Sequence, residues 1–140
     1  MTSARTLPAN LAPRFAAARR VTCRTEHSSF EAVLAERFAL RLRGLAGLDP
    51  DALVPLLFPR CRSLHTFGMR GPIDVVWLTG DWEVASVEPE VPPSRILRAP
   101  RRTAGAGALE LTAGDAAGLG LATGARLARR EGRSSPPPPR

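Results

Sequence analysis

The alternation of apolar and polar positions gives one firm strand, one stretch with helical spacing and several short runs broken by proline and glycine. Ile73 to Leu78 places Ile73, Val75 and Trp77 on one side of a strand and Asp74, Val76 and Leu78 on the other. Thr79-Gly80-Asp81 supplies a turn, and Trp82 to Val87 returns as a hairpin partner until Pro89, Pro92 and Pro93 end the pairing. Leu56 to Phe58, Ser63 to Met69, Ala108 to Leu111 and Ala125 to Ala128 read as further strands; in the second, Ser63, His65, Phe67 and Met69 share a face. Phe30, Val33, Leu34, Phe38, Leu42 and Leu45 recur at three- and four-residue spacing, one face of a helix that Ser28 or Ser29 would cap and Gly44 and Gly47 would end. From Ala35 onward this is a helix, whereas Phe30 to Leu34 also reads as a short strand. Asp49-Pro50-Asp51 opens a one-turn helix that Pro55 stops, and Thr112 with Asp115 has the spacing of a capping box for a short helix ending near Gly118 to Gly120. The expectation is a mainly β (α+β) fold: a small, mostly antiparallel sandwich or barrel with two or three short helices.

Length and composition narrow this picture. A chain of 140 residues is one domain's worth, and no apolar run approaches the roughly 18 to 20 residues of a spanning helix. Met1 to Arg20 lacks the apolar region of an export signal, and two cysteines make no disulfide framework, so a soluble cytoplasmic protein is expected. The net charge of +7 suggests a polyanion partner until it is located. Residues 1–20 hold four arginines and no acid, and residues 129–140 hold four arginines against Glu131. The 12 arginines left between Val21 and Ala128 meet 12 acids. The expected organisation is therefore a neutral domain over 21–128, a frayed Arg/Ala/Pro-rich tail over 1–20 and a disordered Pro/Arg-rich tail over 129–140. Nucleic acid is expected to meet it only non-specifically, through those tails.

Candidate chemistry is sparse. Cys23-Arg24-Thr25-Glu26-His27 and Cys61-Arg62-Ser63-Leu64-His65 repeat a Cys-x-x-x-His pattern, so Cys23, His27, Cys61 and His65 make the ligand count for a tetrahedral zinc. Residues four apart on a strand lie about 13 Å from one another, which disfavours chelation by Cys61 and His65. No cofactor is the expectation. Cys61 with His65 also suggests an activated thiol, with Arg60 and Arg62 favouring the thiolate, against which stands a buried inert cysteine. Asp74 lies in an apolar strand, where a carboxylate needs partners; it reads as an anchor accepting from backbone N–H groups or an arginine such as Arg62 or Arg70, and otherwise as a general base or cation ligand near His65. Phe67, Met69, Trp77 and Trp82 read as packing, and Gly105-Ala106-Gly107 lacks the setting of a phosphate loop.

The run from Leu57 to Val76, with Cys61, Gly68-Met69-Arg70-Gly71-Pro72 and Asp74, resembles the signature segment of the bacterial and archaeal domain-of-unknown-function family 192. Arg41-Leu42-Arg43-Gly44-Leu45 upstream, Val91-Pro92-Pro93, and Leu109 to Gly114 followed by Leu119-Gly120-Leu121 and Gly124 to Leu127 extend the likeness over residues 30–128. Two departures are the short interval between Met69 and Asp74 and the Thr79-Gly80-Asp81 turn in place of Asp-Gly. The resemblance implies a small β-rich fold and no established reaction. The functional expectation is a non-catalytic module that binds an unknown small ligand or protein at a shallow site using His65, Met69, Arg70 and Asp74. An enzyme using Cys61, His65 and Asp74 is the first alternative, and a polyanion binder acting through its tails the second.

Overall fold

Ten strands and two short α-helices make up the computed structural model, with irregular segments between them; it describes residues 3–131. The strands are β1 (Ser3–Arg5), β2 (Arg20–Arg24), β3 (Ser28–Leu34), β4 (Leu56–Pro59), β5 (Ser63–His65), β6 (Ile73–Leu78), β7 (Val84–Val91), β8 (Ile96–Arg98), β9 (Gly107–Thr112) and β10 (Ala128–Glu131). The helices are α1 (Phe38–Arg43) and α2 (Asp115–Gly118). One mixed sheet runs β10-β2-β3-β4-β9-β6-β7, with β1 added in parallel on β3, and β5 pairs with β8 in a separate ribbon. Most pairings are antiparallel; β3 with β4 is a second parallel one. The fold is thus mainly β with small helices, as expected, and the sheet does not close into a barrel. No helix among the described residues is long and apolar enough to cross a membrane.

The sheet is buried on both faces, which explains why β6 and β9 carry near-continuous apolar runs. Val33, Leu56, Phe58, Val75, Trp77 and Ala108 face one core, closed by Phe15, Leu40, Leu45, Leu64 and Met69. Val21, Cys23, Phe30, Leu57, Val76, Leu109 and Leu111 face the other, closed by Ala116, Leu119 and Leu121.

Several expectations are corrected. Phe30 to Leu34 is strand, the second of the two readings its sequence allowed, and α1 turns Leu40 inward while Phe38 and Leu42 stand exposed. A six-residue helix at the rim of a sheet can bury only a narrow face. Ser63 to Met69 is not one strand: β5 stops at His65 and a turn follows, closed by Met69 N–H donating to the Thr66 carbonyl, with Gly68 in the left-handed region. This sends Met69 inward and leaves Phe67 half exposed. Residues 3–20 are not frayed, since Phe15 is buried and Leu7 joins the same core. Arg14 donates to the carbonyls of Gly44 and Ala46, Arg5 pairs with Asp115, and Arg19 bridges Glu36 and Glu131. At the other end, β10 takes in Arg129 to Glu131, with the Arg129 guanidinium 4.0 Å over the Trp82 ring; the expectation for 132–140 lies outside the described residues.

β7 runs through Pro89 to Val91 because it is an edge strand, where the missing N–H of proline costs no ladder bond. The register against β6 slips between Ile73 and Val75, and Glu90 takes a positive φ of 50°. Asp74 makes this irregularity affordable. Its Oδ1 accepts from Glu90 N–H at 2.9 Å, and its Oδ2 accepts from Gly114 N–H and Ala116 N–H, both at 3.0 Å. The start of α2 is therefore capped by a carboxylate from 40 residues upstream rather than by Thr112, and Gly114 supplies the left-handed backbone that aims the amides at it. Asp74→Ala is expected to cost about 3 kcal/mol, three backbone donors losing a buried acceptor, and Asp74→Asn more than about 1 kcal/mol, since an amide offers one oxygen for two. Urea denaturation measures both; an Asn variant as stable as the parent would refute the anchor.

Candidate functional site

The zinc arrangement does not assemble. Cys23 on β2 and Cys61 before β5 lie in the two cores on opposite faces of the sheet, and His27 is exposed beyond the end of β2. Among the described residues no three His, Cys, Asp or Glu side chains gather as a metal site.

The thiol–imidazole pair fails on geometry too. Cys61 donates its S–H to the Ser63 carbonyl, not to His65. His65 uses both ring nitrogens locally: Nε2 lies 3.1 Å from the Leu42 carbonyl and Nδ1 accepts from Phe67 N–H at 3.2 Å, which fixes the Nε2–H tautomer. Burial pushes the Cys61 thiol up to about 11, only partly offset by Arg41, and that of Cys23 up to about 12. Both thiols are thus held in the protonated form at neutral pH. Arg70 is occupied in an exposed ion pair with Asp49, and Asp74 faces the second core. Of the expected binding set, His65 and Met69 share a site; Arg70 and Asp74 do not join it.

That site is a cleft of about 270 Å³ between α1 and β5, lined by Leu42, Leu45, Phe58, Cys61, His65 and Met69 among others. At its floor lies Glu110, a residue outside the expected set. Glu110 sits on β9 opposite Leu56 of β4 and Val75 of β6, so its side chain enters the first core, and only 3% of the residue is exposed. Gly44, at the end of α1, makes room: a Cβ there would come within 3.2 Å of Glu110 Oε1. Desolvation pushes the Glu110 carboxyl up to about 8, and no neighbouring donor or charge pulls it back. Arg41, also lining the cleft, spends its guanidinium on the carbonyls of Ala35, Pro59 and Arg60, tying α1 to the end of β4. The signal of Glu110 in the sequence resembled that of Asp74: an acid between two apolar residues, here Leu109 and Leu111.

The mouth of the cleft is apolar. Phe38, Leu42, Phe67 and Ile96 are the exposed large hydrophobic side chains of the described residues. They converge on His65: Phe38 and Leu42 line the cleft with it, its ring lies 5.5 Å from that of Phe67, and Ile96 is its partner across the β5–β8 ribbon. Such clustering marks a contact surface more than chance exposure does. A larger cleft of about 530 Å³, between residues 14–19 and α1, is lined by Arg14, Arg19 and Glu36, whose polar groups already bond within the chain.

Residues 20–129 match the model of a family described as uncharacterized ACR, DUF192. Among solved structures, a Sinorhizobium meliloti 1021 protein with a provisional transcription-regulator name is 25% identical, with a TM-score of 0.63 over 81% of this chain and 94% of that one. A protein of unknown function from Novosphingobium aromaticivorans DSM 12444 is 20% identical, with a TM-score of 0.62 over 86% of this chain and 99% of that one. No curated protein matches the chain.

Two outcomes follow from the electrostatics. Iodoacetamide should label both cysteines in the native protein at pH 7 more slowly than a free model thiol; labelling of Cys61 at or above that rate would restore the activated thiol. Glu110 has a folded pKa above its unfolded value, so its stabilising contribution is complete below about pH 4.5 and is lost as pH rises through about 8. The stability of Glu110→Gln relative to the parent should therefore rise by about 1 kcal/mol per pH unit between those values and level off above them. A pH-independent difference in chemical denaturation would show that Glu110 does not titrate as its burial requires.

Proposed function

The chain belongs to the DUF192 family, a membership that brings a fold and no reaction, and from the cleft itself we propose that this domain is a small-ligand-binding module without catalytic machinery of its own. The observation that carries the reading is Glu110: a carboxyl almost wholly buried, reached only through the cleft, with no hydrogen bond or ion pair to the chain among the described residues. Burying such a group unpaired costs free energy that a leucine or methionine would not, and the fold receives no bond in return. Asp74 serves as the internal control. Equally buried on the opposite face, it accepts three hydrogen bonds and so is fully explained by structure.

The surroundings favour binding over catalysis. Cys61 is protonated and bonded to a carbonyl, His65 is committed at both nitrogens, and Arg41 is consumed by the backbone. Among the described residues, Cys61 hydrogen-bonds to neither His65 nor Glu110, so no bonded nucleophile–base pair lines the cleft. The cleft falls just below the roughly 300–1,000 Å³ usual for small-molecule sites, and its walls mix apolar side chains with Arg41, Arg43, Ser63, His65 and Glu110. An apolar mouth extends the contact area beyond the cleft itself.

A fragment screen followed by amide and methyl chemical-shift mapping on the full chain tests the reading. Hits should perturb Leu45, Leu64, His65, Met69 and Glu110 together. Hits confined to the larger cleft beside Arg14 and Glu36, or shifts scattered over the surface, would overturn it.

A further inference from the structure

Resting on the reading of this cleft as a ligand site, we infer that its ligand is a small organic cation, an amine, amidine or guanidine head on an apolar body, with the head against Glu110 and the body across Phe38, Leu42 and Phe67. Three observations converge on this class. The only acidic group lining the cleft is Glu110, and it has no counter-ion. Two cationic side chains share the cleft and neither bonds Glu110: Arg41 is held by three carbonyls, and Arg43 lies close to Arg14. Around the carboxyl the lining also offers the Phe58 ring, with the Arg41 guanidinium 5.9 Å from its centroid, the Cys61 sulfur and the Met69 thioether, a soft set that suits a weakly hydrated delocalised cation better than a hard metal ion. The apolar mouth then matches the apolar remainder of the ligand.

The protonation of the free site makes the inference sharper. Burial keeps the Glu110 carboxyl largely protonated at neutral pH, so an entering cation displaces a proton to solvent and converts a neutral acid into an ion pair. The other titratable groups facing the cleft are Cys61 from the segment before β5, His65 from β5, and Arg41 and Arg43 from α1. The raised Cys61 thiol stays protonated between pH 5 and 8. A His65 variant separates the imidazole from Glu110 in the test.

Benzamidine and its neutral isostere benzamide are the probes, titrated into the full-length protein from pH 5.5 to 8.5 by calorimetry. Benzamidine affinity should rise about tenfold per pH unit up to pH 7.5 and flatten above pH 8, with close to one proton released per molecule bound on the acidic side. Benzamide should bind weakly and show no such slope. Glu110→Gln should abolish the slope and lower benzamidine affinity at least tenfold at pH 8, whereas His65→Gln should keep the slope whatever it does to affinity. If benzamide binds as well as benzamidine, or if the slope follows His65, the cation assignment falls while the cleft remains a ligand site. If fragments map to the cleft and benzamidine does not, the assignment falls in the same way; if nothing maps there, both readings fall. Binding of an acetylated Leu-Lys-Leu amide in the cleft with no binding of benzamidine would transfer the cation to a protein partner and overturn the small-molecule class.

Discussion

A carboxylate buried inside a sheet must be met by donors, and the way Asp74 meets that demand organises half of this fold. Its two oxygens hold an irregular turn of β7 and the first amides of α2 to the same point of β6. Neither element would keep its shape alone. The β7 irregularity leaves Glu90 out of register with positive φ, and α2 is four residues long, far too short to form by propensity. One charged acceptor offsets both, which places Leu119 and Leu121 over the second core and closes it.

The other face shows the same side-chain chemistry left unfinished. Glu110 occupies β9 one residue out of phase with Asp74 across the β6–β9 ladder, so the two acids point to opposite sides of a sheet only one residue thick. On the Asp74 side a glycine turn brings amides in; on the Glu110 side Gly44 brings the chain close and then turns away, offering space instead of a donor. Nearby polar groups that could have served are diverted. The Arg41 guanidinium goes to carbonyls and the His65 ring bridges Leu42 and Phe67. An acid that Arg41 and His65 leave without a bond is a different object from one that has been capped.

The strands were legible because a sheet buried on both faces writes its interior strands as apolar runs, and β6 with its hairpin partner and β9 stood out for that reason. Asp74 was legible as an anchor by the same logic, being the polar exception in such a run. Glu110 carried an equal signal and was not read as a site residue, because an acid between two leucines has meaning only once register puts it across from Leu56 and Val75. The Cys-x-x-x-His echo was misleading: identical spacing in one dimension fell on opposite faces of the sheet. Residues 3–20 misled through composition, since arginine and alanine read as solvated while Leu7 and Phe15 do the packing and Arg14 closes on carbonyls of the segment after α1.

The helical spacing of Phe38 and Leu42 was real and its inference inverted, and the reason bears on the site. Periodicity reports that a face is apolar, not which surface it meets. Here Leu40 and Leu45 supply the contacts that dock α1 and its end on the first core, so Phe38 and Leu42 add nothing to folding and expose apolar area to water. Their outward placement keeps the cleft open and gives its mouth an apolar lip. The unpaired carboxyl and the exposed apolar residues are thus two consequences of one choice, a helix seated at the edge of the site instead of over it.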